Sequence, residues 1–189
     1  LAWLSKTNLT EDSCLIFRSY NKDKLLQEKV FSALDYFAQE SQSFSSHERL
    51  IGFIALLSAF YPQEKLIDKL SQEGLVKQIA QLFSYDKQLI LAARKTVCWL
   101  HKYEELRTLY GLKKCAHALF PRITLRFFLQ IYRALYEEAK KANFLLYEQA
   151  ERARLLDQPE PPIIRGTDSL VVGLAGKERS EFLALAYDI

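Results

Sequence analysis

The sequence predicts an all-α fold built from stacked helix-pair repeats, and three observations predict it. The first is an internal repeat. Gly74-Leu-Val-Lys-Gln-Ile-Ala-Gln-Leu-Phe83 returns as Gly111-Leu-Lys-Lys-Cys-Ala-His-Ala-Leu-Phe120, with Gly, Leu, Lys, Leu and Phe at matching places. A period of that size marks arrays of helical units, each too small to bury its apolar face alone. The second is apolar residues recurring at three- and four-residue spacing from Lys22 onward, which aligns them on one face of a helix. The third is composition: 189 residues, 49% apolar and 26% charged, suit one folded domain with a sizeable core.

The elements follow in order. Residues 1–21 mix Trp3, Leu4, Leu15, Ile16 and Phe17 with polar residues and are expected to cap the open end of the stack. From Lys22, the residues Leu25, Leu26, Val30, Phe31, Leu34 and Phe37 form a wide helical stripe. The polar stretch Glu40 to Ser46 ends that helix, and Ser45 with Glu48 has the spacing of a capping box. His47 to Phe60 is apolar nearly all round, so that helix is expected to be buried between neighbours.

Tyr61-Pro62 turns the chain, Glu64 to Gln72 reads as a short helix, and the first copy of the repeated phrase follows. Asp86 to Lys102 is the next helix, with Leu89, Ile90, Ala93, Val97 and Leu100 as its apolar positions. Glu104 to Leu109 is a short amphipathic segment ahead of the second copy. Pro121 is placed to open a long helix running from about Ile123 to Leu156, with a charged second half that closes the stack. Asp157-Gln-Pro-Glu-Pro-Pro162 stops it. The expected division is therefore residues 1–156 as the repeat domain, with repeats over about 22–137, and 157–189 as a linker and tail with one helix, Lys177 to Tyr187.

The order of glycine, short helix ending in Leu-Phe, polar turn, alanine-containing helix, short helix and glycine resembles an armadillo or HEAT-type repeat. The resemblance implies a right-handed superhelix of about three units, in which the third helix of each unit lines a concave groove. Peptide-binding armadillo proteins carry a tryptophan and, one turn later, an asparagine there. Aligning Ala93 and Leu100 with the family pattern puts Lys95 and Trp99 at those places, Gly52 and Leu56 in the preceding unit, and Gln130 and Ala134 in the following one. The family's peptide clamp is absent. What the resemblance leaves is a groove whose partner-binding candidates are Arg94, Lys95, Trp99, Arg126, Gln130 and Arg133.

Other constellations point to weaker chemistry. Cys98, His101, Cys115 and His117 are the residue types zinc prefers, but a lone cysteine at a core position is more commonly a small apolar residue. Three cysteines form no disulfide framework, and reduced thiols in the cytoplasm are expected. Val171 to Lys177 echoes a phosphate loop, yet only two residues separate its glycines, and Glu178 stands where a hydroxyl residue is required. Glu104-Glu105 and Glu137-Glu138 read as solvated helix faces. Asn8-Leu-Thr10 matches a glycosylation sequon with no secretory signal before it, and Pro159 to Pro162 matches PxxP but also suits a plain linker. The chain has no methionine, so the expectation is an excised or processed piece of a longer protein.

Function follows by exclusion. A net charge of +3 rules out whole-chain polyelectrolyte binding, and the apolar runs are too short to span a bilayer. No nucleophile, metal or cofactor motif emerges, so no cofactor is expected and an enzyme ranks last. Membrane attachment through Lys140 to Arg154 ranks low, because glutamates interrupt its basic residues. The expected function is a non-catalytic adaptor or scaffold binding another protein, through an acidic or amphipathic segment. The alternative is nucleic-acid (RNA) binding through Lys87, Arg94, Lys95, Lys102, Lys113, Lys114, Arg122, Arg126 and Arg133.

Overall fold

The computed structural model describes residues 24–61, 72–83, 86–136, 140–161 and 172–187. The expectations for the N-terminal cap, Cys14, the sequon, the helix from Glu64, and Glu137-Glu138 fall outside them. Every regular element among the described residues is helical. The fold is all-α.

α1 (Lys24–Glu40) buries Val30, Ala33 and Phe37, so the buried stripe is narrower than the predicted one: Leu25 and Phe31 are exposed, and Ala33 joins the buried side. α2 (Ser46–Ala59) starts where the capping box places it. The Ser45 hydroxyl accepts from the Glu48 N–H at 3.2 Å, and the Glu48 carboxylate accepts from the Ser45 N–H at 3.0 Å. As its all-round apolarity requires, α2 is buried from Ile51 through Ser58 except at Phe53. The Ser58 hydroxyl enters the core by donating to the Ile54 carbonyl at 2.7 Å. α1 and α2 cross closely because Gly52 has no side chain: a Cβ there would fall on the Phe37 ring.

The repeated phrase forms α3 (Gln72–Gln81) and α6 (Leu109–Leu119). Both copies bury the same positions, Leu75 with Ile79 and Leu112 with Ala116. A capped helix follows each copy. Asp86 caps α4 (Lys87–Leu100) by accepting from the Gln88 N–H at 2.8 Å, and Thr124 caps α7 (Leu125–Leu135) by accepting from the Phe127 N–H at 3.2 Å. α5 (Tyr103–Leu106) is a single turn leading into α6.

The glycines of the phrase sit inside their helices, not at a bend between helices, and no described glycine has a positive φ. Gly111 is needed for another reason. A Cβ there would overlap the Glu105 carbonyl, because the Thr108 hydroxyl donates to that oxygen at 2.9 Å and accepts from the Gly111 N–H at 3.0 Å, drawing the two turns together.

The predicted helix from Ile123 to Leu156 is two helices. Pro121 lies in the turn ahead of α7, so Thr124 provides the start. α7 ends at Tyr136, and α8 (Lys140–Arg152) returns alongside it. A continuous helix would carry Asn143, Leu146 and Ala150 away from the core; folding back buries all three.

α2 and α7 lie at the centre. α2 packs against α1, α3, α4 and α7, and α7 packs against α1, α2, α6 and α8. The contact of α7 with α1 joins the first predicted unit directly to the last, which units touching only their neighbours do not do. Contacts divide the chain at Pro159/Glu160, later than the expected 156/157, because Leu155 and Leu156 are buried in the first unit and Asp157 is bound to it. In the second unit α9 (Gly176–Tyr187) is the expected tail helix, with Lys177 and Glu181 paired one turn apart at 3.7 Å.

Candidate functional site

α7 and α8 form a helical hairpin tied at both ends. At the N-terminal end of α7, Arg126 grips Asp157 in a bidentate pair, with Nε to Oδ1 at 2.7 Å and Nη2 to Oδ2 at 2.9 Å. Its Nη1 donates to the Tyr147 hydroxyl at 2.7 Å, and its backbone N–H donates to the Leu156 carbonyl at 2.8 Å. One arginine therefore holds the end of α8, the wall residue Tyr147 and the chain leaving the first unit. At the other end, Asn143 Nδ2 donates to the Tyr136 carbonyl at 3.0 Å, closing the carbonyl left open where α7 stops.

Between these ties lies a cleft of about 410 Å³ lined by Leu129, Gln130, Arg133, Asn143, Phe144 and Tyr147. The cleft is mostly apolar with a few polar side chains. Asn143 is only 7% exposed. The Tyr136 carbonyl can only accept, so it takes the NH₂ end of the Asn143 amide and leaves Oδ1 buried without a hydrogen-bond partner among the described residues. Gln130 Oε1, across the hairpin, is likewise buried and without a partner among them. A buried acceptor left unpaired costs about 1–3 kcal/mol.

The remaining wall is charged and apolar. The Arg133 guanidinium lies over the Tyr36 ring of α1, its Cζ 5.5 Å from the centroid. Phe144 is 63% exposed, and Leu145 beside it is exposed too, a pair of large apolar side chains on the outer face of α8.

Of the six residues singled out in the sequence, Gln130 and Arg133 meet in this cleft, and the other four have structural employment or lie elsewhere. Trp99 is not an exposed anchor. It is 8% exposed, packed into the core of α4, with the Lys102 ammonium 4.8 Å from its ring centroid. The family alignment placed it facing a groove, but α4 turns that side toward the neighbouring helices. Lys95 reaches α6 and donates to the Ala118 carbonyl at 3.0 Å. Arg94 is half-buried on α4. Arg126 is committed to Asp157 and Tyr147. Asn143, Phe144 and Tyr147 are missing from the sequence-derived set. Their signal was present, because Asn143, Leu146, Tyr147 and Ala150 recur at helical spacing while Phe144-Leu145 interrupts the polar face.

The cysteine and histidine cluster does not assemble. Cys115 is in the core, where burial pushes its thiol well above the usual range, whereas Cys98 and His101 are exposed. No three metal-ligating side chains converge among the described residues, and none of the described helices is long and apolar enough to cross a membrane.

The Arg126–Asp157 tie carries a pH dependence. Hydrogen bonds from Arg126 hold the Asp157 carboxyl below its ordinary range. A carboxylate depressed in the folded state stabilises above its unfolded pKa and loses that contribution as pH falls through the folded one. Because the Asp157 side chain is 70% exposed, the pair contributes at most about 1 kcal/mol after screening. Asp157→Asn is therefore expected to lower stability modestly at neutral pH and not at about pH 2, read by urea unfolding at both. An equal loss at both values would assign the effect to packing.

No protein-family model, curated protein or solved structure matches this chain.

Proposed function

We propose that this chain works non-catalytically, as an adaptor or assembly subunit that holds a short segment of a partner protein in the α7–α8 cleft. The observation carrying this reading is the cleft itself, lined by the exposed Phe144 and by Arg133, which has no carboxylate partner among the described residues. Phe144 supplies an aromatic contact of the kind that dominates interface energetics.

RNA binding through a basic face is the other reading, and three of its cations are engaged within the molecule. Arg126 is paired with Asp157, Lys102 lies 3.2 Å from Glu105, and Lys95 is bound to a backbone carbonyl. The armadillo-like description of the fold keeps the support of the two phrase helices and their capped followers, while the α1–α7 contact favours a closed helical bundle. A reducing compartment such as the cytoplasm suits the free Cys98 and Cys115 thiols.

The test is affinity capture from extract with the intact chain and Phe144→Ala side by side, with and without nuclease. A protein recovered despite nuclease and reduced about tenfold or more by the substitution is the expected result. Recovery of nucleic acid that is unaffected by Phe144→Ala and released steeply by salt would favour the RNA reading instead.

A further inference from the structure

We infer that residues 154–157 form a strap whose closure sets the wall of the α7–α8 cleft, so that the cleft and the chain leaving the first unit are coupled. This rests on the cleft being the partner site and specifies how that site is regulated.

α8 ends by reversing the chain. The Arg154 N–H donates to the Glu151 carbonyl and the Leu155 N–H reaches back to the Ala150 carbonyl, both at 2.9 Å. That pair of bonds marks the helix ending in which a residue of positive φ turns the chain, and glycine usually fills the place. Here Arg154 fills it, with φ 57°. A side chain disfavours this backbone region, because its Cβ crowds the following carbonyl. The reversal is strained, and contacts beyond it must hold it shut.

Those contacts converge on one residue. Leu155 and Leu156 are buried, the Leu156 carbonyl accepts from the Arg126 backbone N–H at 2.8 Å, and Asp157 takes two edges of the Arg126 guanidinium. The remaining edge donates to the Tyr147 hydroxyl at 2.7 Å, and Tyr147 lines the cleft. One planar group on α7 therefore fixes both the strap and the cleft wall. A guanidinium presents its donors in a rigid fork, so it cannot turn toward one partner without changing its geometry to the other. Opening the strap frees the group that positions Tyr147, and moving Tyr147 weakens the hold on Asp157.

The sign of the coupling follows from the closed geometry. Strain at Arg154 opposes closure, and the Asp157 pair that favours it is largely exposed, so the strap is closed by a small margin. A partner packed on Tyr147 where it stands shifts the balance toward the closed strap, and by linkage the closed strap binds that partner more tightly. Occupancy of the cleft is thereby passed to the chain beyond Asp157.

The experiment is native-state hydrogen exchange by NMR, read at the Leu155 amide after correction for intrinsic rates, on the intact chain, Tyr147→Phe, Asp157→Asn and the double variant. Tyr147→Phe removes only a hydroxyl, outside the strap, and should speed that amide about two- to fivefold while amides of α1 stay unchanged. The double variant should gain less than the product of the two single effects, the mark of a shared partner. Arg154→Gly should slow the amide by relieving the strain. An unchanged Leu155 amide in Tyr147→Phe overturns the link between strap and wall, whatever the cleft binds. The cleft itself is followed by capture from extract: protein lost with Phe144→Ala should be retained about two- to fivefold less by Asp157→Asn, although Asp157 stands outside the cleft. Capture lost with Phe144→Ala but equal with Asp157→Asn overturns the regulation and leaves the cleft standing. Capture indifferent to Phe144→Ala overturns the cleft reading and the regulation with it.

Discussion

Gly111→Ala is expected to destabilise the first unit by about 2–4 kcal/mol, a large share of the roughly 5–15 kcal/mol that holds a domain folded. The added methyl would overlap the Glu105 carbonyl. That carbonyl is backbone, and it is held where it is by the Thr108 hydroxyl, which bonds it on one side and the Gly111 N–H on the other. A side chain could rotate away; this oxygen cannot move without separating α5 from α6. Leu106 and Leu112, both fully buried, would be pulled apart with it. Gly111→Val should be worse. Gly173→Ala is the control, because a Cβ at Gly173 meets nothing within 4 Å, and it should stay within about 0.5 kcal/mol of the unsubstituted chain. Urea unfolding of the three variants makes the comparison. A Gly111→Ala midpoint equal to that of the control would mean that the approach of α5 to α6 is not fixed.

The same glycine shows how far the sequence could be read. The repeated phrase correctly located two helices with equivalent buried positions, because helix periodicity and apolar spacing are local properties. The reason for the glycine was not local. It is required by a carbonyl six residues back, brought near by a cap that Thr108 forms, and only the folded chain shows that approach. Likewise the capping box at Ser45 and Glu48 was legible from spacing alone. The break between α7 and α8 was not, since Glu137, Glu138 and Ala139 are good helix formers by sequence, and the contacts at the end of α7 are not local: Asn143 reaches back to the Tyr136 carbonyl, and the Tyr136 hydroxyl donates to the Leu100 carbonyl at 3.2 Å.

The site follows the same division. Gln130 could be named from the alignment with the repeat pattern, and Arg133 as a basic residue of the groove that pattern implies. Trp99 and Arg126 were named for their chemistry, but tertiary contacts had already claimed them. Asn143 and Phe144 were read as part of the charged second half of one long helix, and they became a cleft wall only when that helix turned back. Reading a site on one helix requires knowing which helix faces it, and periodicity does not supply that.

Phe127→Ala tests the larger question of how the bundle is closed. Phe127 is fully buried, edge-on to Phe37 with centroids 5.7 Å apart and to Phe44 at 4.7 Å. It is the point where α7 meets α1 and the turn after it. Removing a buried phenyl ring typically costs about 3–5 kcal/mol, with each aromatic pair contributing about 0.5–1.5 kcal/mol of that. The pattern of loss is more telling than its size. In a stack whose units touch only their neighbours, α1 and α2 form an end that can open by itself, and a substitution in the third unit leaves its exchange rates unchanged. In the bundle seen here, Phe127 joins residues ninety positions apart. Native-state hydrogen exchange should therefore show amides of α1 losing protection together with those of α7, by the same increment that urea unfolding gives for the whole unit. Faster exchange confined to α6, α7 and α8 would mean that α1 is held by α2 alone, and the chain would then be an open stack with a chance contact between its ends.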